Sequence, residues 1–397
     1  MSEHVVVVGA SLSGIKAARE LRALGFDGAI TMIGEEEALP YDRPPLSKEF
    51  LAGERELNDF SLTDAAELRA LDVEFIGADP ATALDEESNT VTLSSGRVVG
   101  YDQVIMATGA CPNRPPWFRP MAGLHLLRSI EDAFAIRDQL PTARRVVIVG
   151  GGFIGTEAAA KLVTMVKDVT LVTDGNSVLE PLGRELAARF TALHRIRGVA
   201  VLTNSFVVDI LGNDRVRGVQ LVDDSIVETD LVLVAVGARP NSAWVPQLAD
   251  PLTGAVAVRA DGKVRGNVWA AGDVTSAGAG HWFSAVRQSK RVARAILGIE
   301  DKSTARLDSE VPYMWTDQFE LKVQLLGSVR QTDDFHVLDQ ENATEPSNFV
   351  GVYSRDGIIS GGVLVDQPQV LGKMRQIVAS RGTINDAVKL LGAGVRS

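Results

Sequence analysis

Two short glycine runs hold the residues best placed to do chemistry in this sequence. In Gly150-Gly-Gly152-Phe-Ile-Gly155 the first, third and sixth positions are glycine, and the apolar run Val146 to Val149 comes immediately before them. Glycines at those spacings allow a tight turn, a close backbone approach to a pyrophosphate, and close helix–strand packing. Gly9-Ala-Ser11-Leu-Ser13-Gly14 repeats the arrangement about 140 residues earlier, behind Val5 to Val8, with Ser11 in the middle position. Serine adds a Cβ where the backbone should approach, so either the approach is looser or the hydroxyl faces away. An acidic residue follows each run: Glu35 twenty-one positions after Gly14 (35 − 14) and Asp174 nineteen after Gly155 (174 − 155). An acidic side chain at that distance accepts hydrogen bonds from ribose hydroxyls. The pattern implies two bound dinucleotides.

The elements that must position these residues are legible around them. Each valine-rich run reads as a strand buried on both faces, and each is followed by a helix, near 15–24 and 156–163. The helix N-termini present N–H groups to an anion. Second strands are expected at 29–33 and 169–172, and another buried strand at 231–236. Residues 73–76 and 90–93 read as strands of a hairpin-rich insert, with Ser94-Ser-Gly96 as its turn. The polar stretch 300–307 reads as a linker, and the region after it has a common α+β size, with strands at 322–326, 349–354 and 362–365.

At 397 residues the chain is too long for one core, so two or three domains are expected. A charged fraction of 23% against 45% hydrophobic residues places it among soluble globular proteins. No apolar run is long enough to span a membrane and no signal peptide is visible. The formal net charge of −11 argues against nucleic acid as a partner. Cys111 is the only cysteine, which forbids an intrachain disulfide and fits a cytoplasmic location. Neither a metal site nor an iron–sulfur cluster is expected in the chain itself.

Four further segments complete the pattern: Pro40-Tyr-Asp-Arg-Pro-Pro-Leu-Ser-Lys48, Met106-Ala-Thr-Gly-Ala110, Ala235-Val-Gly-Ala-Arg-Pro-Asn241 and Val268-Trp-Ala-Ala-Gly-Asp-Val-Thr275. In this order they resemble the two-dinucleotide-domain flavoproteins, specifically the FAD-dependent NADH:ferredoxin reductases that serve Rieske oxygenases, including those of aromatic hydrocarbon degradation, and cytochrome P450 systems. The resemblance implies an α/β fold with two Rossmann-like dinucleotide-binding domains, like that of glutathione reductase, and a C-terminal α+β domain. Residues 1–111 and 238–308 would bind FAD, 112–237 would bind NAD, and 309–397 would form the last domain.

Carried onto this sequence, the resemblance assigns tightly but non-covalently bound FAD to Gly9, Ser11, Ser13, Gly14 and Glu35. It adds Arg43 and Lys48 from the proline-rigid loop, and Ala81 where the backbone meets the adenine. Thr108, Gly109 and Arg128 follow, then Asp273 on a ribityl hydroxyl and Trp282 against the flavin. The NAD side takes Gly150, Gly152, Phe153, Ile154 and Gly155, with Thr173, Asp174 and Gly237. Glu157 would lie by the nicotinamide, paired with Lys48, and these two are the residues expected to act in catalysis. Thr173 stands where similar NADH-preferring proteins usually carry glutamate. Asp174 next to it, with no lysine or arginine from 173 to 179, still favours NADH over NADPH. In the last domain Tyr313 replaces the tryptophan usual in similar reductases, and Trp315 keeps the next one.

The implied mechanism is hydride transfer from NADH to FAD, then release of single electrons to a [2Fe–2S] ferredoxin. Arg287, Lys290, Arg291 and Arg294 recur at three- and four-residue spacing on one helix face and would steer that acidic partner. His281 reads as an ordinary surface or packed histidine. A disulfide reductase of the same fold would need a redox cysteine near the flavin, and residues 35–60 hold none. Two alternatives stay open: an NADH oxidase or quinone-type reductase, and an NADH-sensing flavoprotein of the apoptosis-inducing type. Either a monomer or a homodimer is compatible with the sequence.

Overall fold

A computed structural model describes residues 3–277, 280, 282–299, 311–340 and 348–392. His281 and the expected linker 300–307 lie outside the described residues. The chain divides into two compact units, the first made of Met1–Arg43, Glu56–Cys111 and Ala238–Asp308, the second of Pro44–Arg55, Pro112–Gly237 and Ser309–Ser397. The stretch expected to bind FAD is thus interrupted, with Pro44–Arg55 grouped in the second unit.

In the first unit the strand His4–Val8 lies inside a six-stranded sheet, parallel to Ala29–Ile33 on one side and Gln103–Met106 on the other. Val5 and Val7 face one apolar cluster and Val6 and Val8 another, all four at most 2% exposed, which is why the run is continuously apolar instead of alternating. The helices Leu12–Ala23 and Trp282–Ile296 cover the first face. A three-stranded meander, Ala81–Asp85, Thr90–Leu93 and Val98–Gly100, packs on the second.

One expected strand behaves differently. Val73–Ile76 is no part of the hairpin insert; it extends the parallel sheet beside Ala29–Ile33. It is an edge strand with one buried and three less buried residues, which short-range pattern alone does not separate from a hairpin arm.

The second unit repeats the plan. Arg145–Val149 is flanked by parallel strands Asp168–Val172 and Leu231–Val234 in a five-stranded sheet. The last region is a five-stranded antiparallel sheet in the order Tyr313–Gln318, Leu321–Gly327, Ile358–Val365, Phe349–Arg355, Asp334–Gln340. Helices Leu371–Ala379 and Ile384–Gly392 accompany it, and Met374, Ile377 and Ala387 fill its core with Val350, Val352 and Leu364.

Candidate functional site

Each glycine run ends a buried strand and starts a helix. Gly9 and Gly150 sit at φ 120° and 117°, and a Cβ on either would fall 2.1 or 2.3 Å from the carbonyl oxygen of Ala107 or Ala235. Gly14 and Gly155 are already inside their helices, where a Cβ would stand 2.1 and 2.0 Å from the carbonyl oxygens of Gly9 and Gly150. The helices begin earlier than their apolar pattern suggests, at Leu12 and Phe153, because these glycines are required by packing and do not interrupt the turn.

Ser11 and Gly152 occupy the N-cap positions in extended conformation, and neither makes a side-chain cap bond. First-turn N–H groups are therefore not satisfied by a side chain, and that donor set fits an anionic pyrophosphate at both loops. A Cβ on Gly152 would meet nothing within 4 Å, so the protein itself leaves that side of the loop open.

The second loop borders a cleft of about 390 Å³. Gly150, Gly152, Thr173, Asp174 and Gly237 line it, joined by Trp117, Glu180 and Phe206, which sequence reasoning missed. Phe153 is half-buried, and Ile154 is exposed on the first helical turn. Thr173 is buried under the loop, and Asp174 is exposed.

Two residues past Gly155 in the second helix, Glu157 is 6% exposed, and Lys48 only 4%. Lys48 Nζ lies 2.7 Å from Asp317 Oδ2 and 3.3 Å from Glu157 Oε1, and over the Trp315 ring at 5.7 Å. Ser47 Oγ donates to Glu157 Oε2 at 2.7 Å and Thr316 Oγ1 to Glu157 Oε1 at 2.6 Å. Burial works to lower the Lys48 pKa, but the Glu157 carboxylate and the Asp317 bond outweigh it and hold it above the ordinary lysine value. Burial pushes the Glu157 carboxyl up, opposed by Lys48, Thr316 and Ser47.

A buried glutamine sets the direction of these bonds. Gln318 Nε2 donates to both Thr316 Oγ1 and Thr156 Oγ1, at 2.9 Å each. Both hydroxyl protons are thereby turned outward, that of Thr316 to Glu157 and that of Thr156 to the Gly152 carbonyl at 3.0 Å. Gln318 Oε1 is left to accept from His194 Nε2 at 3.0 Å. Burial takes the His194 pKa down to about 4 despite that bond. Thr316, Asp317 and Gln318 were not singled out from the sequence; they lie on the strand Tyr313–Gln318, in which Tyr313, Trp315 and Asp317 alternate with Thr316 and Gln318.

In the first unit, Glu35 is exposed just past its strand, and Arg43 Nη2 pairs with Glu36 at 2.6 Å beside the Tyr41 ring. Thr108 Oγ1 donates to the Asn241 carbonyl at 2.6 Å, and Gly109 follows with φ 69°. Ala81 opens the meander opposite Leu93. Asp273 follows Gly272, where a Cβ would strike Ser13 Oγ at 2.4 Å, so that turn and the first loop pack directly together. Trp282 Nε1 donates to Asp42 Oδ1 at 2.9 Å. Arg128, in the second unit, precedes a capping box formed by Ser129 and Asp132.

The basic stripe lies on the helix Trp282–Ile296, and much of it is engaged within the unit. Arg294 Nε bonds Glu20 Oε1 at 3.0 Å, Arg291 Nη1 donates to the Ala260 carbonyl at 2.9 Å, and Arg287 is half-buried. Lys290 is exposed. Among the described residues no helix is long and apolar enough to cross a membrane, and no group of three His, Cys, Asp or Glu side chains is arranged to hold a metal ion.

Two family models match successive stretches of the chain. Residues 3–289 match the family model of pyridine nucleotide-disulphide oxidoreductases, and residues 313–390 match a reductase C-terminal model. The chain is similar to a probable ferredoxin reductase of Castellaniella defragrans, with 31% identity over 97% of this chain and 95% of that one. It is also similar to a ferredoxin–NAD(P)+ reductase of a Sphingomonas species, with 33% identity over 89% and 87%. Among solved structures it resembles putidaredoxin reductase in its covalent complex with putidaredoxin, with a TM-score of 0.89 and 25% identity over 100% and 99%.

Proposed function

The chain belongs to the pyridine nucleotide-disulphide oxidoreductase family, and we infer from that membership that it is a flavoprotein reductase carrying electrons from NADH through FAD to a ferredoxin of an oxygenase system. FAD, when bound, accepts hydride from NADH and releases electrons one at a time, which a nicotinamide cannot do. The chain's own residues supply placement and field. The Gly150 loop and its helix N-terminus bind the NADH pyrophosphate, and the first loop does the same for FAD. Glu157 orients Lys48 and helps keep it cationic, and that fixed charge favours negative charge on the reduced flavin ring.

The single observation favouring a ferredoxin reductase over a disulfide-reducing relative is that residues 35–60 hold no cysteine, in a chain whose one cysteine is Cys111. No dithiol exists to divert the electrons. We assign FAD to residues 1–111 and 238–308, NADH to 112–237, and a docking face for the partner to 309–397. Lys290, with Arg287, Arg291 and Arg294 behind it, steers an acidic [2Fe–2S] ferredoxin to a chain that is otherwise negatively charged. The setting is the cytoplasm, in line with the lone Cys111.

NADH-driven cytochrome c reduction, measured with and without an added [2Fe–2S] ferredoxin, tests this reading. Turnover that rises at least tenfold with ferredoxin supports it. Equal turnover without ferredoxin, with oxygen consumed, assigns the protein to the oxidases instead.

A further inference from the structure

Thr173 supplies no carboxylate to the cleft, and the structure shows why its side chain stays short. It fills the space directly beneath the dinucleotide loop, where a Cβ on Gly151 would come 2.7 Å from Thr173 Oγ1. A longer side chain would have to turn out of that space. The acid that reads the ribose must therefore come from elsewhere.

We propose that Glu180 is the carboxylate that selects an unphosphorylated ribose in this cleft, and so is the residue that sets the preference for NADH over NADPH. The proposal rests on the reading of the cleft as the NADH site. Glu180 lines the cleft with Asp174, and no lysine or arginine among the described residues lines it. One oxygen of Glu180 accepts from the Asn176 N–H at 2.7 Å. Its carboxylate lies against Gly175, where a Cβ would stand 2.6 Å from Glu180 Cδ, so the Asp174-Gly175 sequence makes room for it.

The segment that carries Glu180 is held at both ends. Leu179, fully buried, adopts the left-handed conformation at φ 54° and ψ 35°, and its N–H donates to the Gly151 carbonyl at 2.7 Å. A non-glycine residue persists there only where its surroundings fix it. At the far end the Leu182 carbonyl accepts from the buried Tyr353 hydroxyl at 2.7 Å. Glu180 is thus tied to the dinucleotide loop on one side and to a core tyrosine on the other. Asp174 is exposed, with its neighbours Thr173 and Gly175 bonded through their backbone, whereas the carboxylate of Glu180 is itself held by the Asn176 N–H. A carboxylate held still accepts from two vicinal hydroxyls and repels a 2′-phosphate, with no cation nearby to offset the repulsion.

The test is calorimetric binding of NAD+ and NADP+ to the FAD-loaded protein, for wild type, Glu180→Gln, Glu180→Arg and Asp174→Asn. Wild type should favour NAD+. Glu180→Gln should weaken NAD+ by about tenfold and tighten NADP+ several-fold, Glu180→Arg should favour NADP+, and Asp174→Asn, at the other carboxylate of the cleft, should change the ratio by several-fold less than Glu180→Gln. A Glu180→Gln protein that melts like wild type and keeps its NAD+/NADP+ ratio would overturn the proposal. So would Asp174→Asn abolishing the preference. Failure of wild type to bind either nucleotide would instead overturn the reading of the cleft.

Discussion

The two glycine loops share a frame, and two of the positions where they differ are instructive. Gly9 and Gly150 have nearly the same φ, and Gly14 and Gly155 nearly the same clearance from their own loop carbonyls. At the middle position Ser11 corresponds to Gly152, and two residues past the last glycine Lys16 corresponds to Glu157. The first and last glycines of each loop answer to the chain: a Cβ there collides with backbone that cannot move aside. The middle glycine answers to the ligand, since a Cβ on Gly152 would meet no protein atom. Ser11 shows that the fold tolerates one. The same frame thus separates what the fold requires from what a pyrophosphate requires.

The charged position at the helix start gives the largest effect. Lys48→Met removes the cation beside Glu157 and Asp317 and should destabilise the protein by about 3–5 kcal/mol in denaturant unfolding, because a buried carboxylate is left uncompensated. Lys16→Met, at the place in the first helix that matches Glu157, the partner of Lys48, should cost under about 1 kcal/mol. Equal losses at the two positions would break the contrast.

Next come the glycines. Gly155→Ala should lower stability by about 3 kcal/mol, the upper range of overpacking. Gly152→Ala should leave unfolding within about 1 kcal/mol of wild type yet weaken NAD+ binding by about 100-fold. A Gly152→Ala protein that unfolds as readily as Gly155→Ala would show that the middle glycine serves the fold after all.

Acid acts on the second unit through His194. Its folded pKa near 4 lies below the ordinary value of 6.5, so above pH 6.5 the contribution to stability is complete. As pH falls from 6.5 to 4 the unfolded chain takes up a proton that the folded chain refuses, and about 3 kcal/mol is lost before the effect levels off. His194→Gln should lose correspondingly less over that window, followed by chemical unfolding at each pH. Identical pH profiles would remove His194 from the account.

The smallest effect belongs to Ser11→Gly. It should slow FAD loss by about threefold on dilution, with stability changed by no more than about 1 kcal/mol.

Much of this was legible from local pattern. The loops, their flanking strands and the two carboxylates at ribose distance are encoded within a few tens of residues, where period and spacing carry physical meaning. The surroundings of Lys48 were not. Its partner Asp317 is 269 positions away, and nothing in either segment announces the other. Val73–Ile76 was misplaced for a related reason, since an edge strand and a hairpin arm share one short pattern. Glu180 was hidden by the left-handed Leu179, a conformation no propensity suggests for leucine.

An anaerobic titration of the purified yellow holoprotein tests the central claim most directly, with the flavin absorbance followed as NADH and then oxidised [2Fe–2S] ferredoxin are added. The account predicts that NADH bleaches the flavin and that ferredoxin restores the colour while becoming reduced itself. A flavin that stays yellow with NADH, or that recovers only when oxygen is admitted, would contradict it.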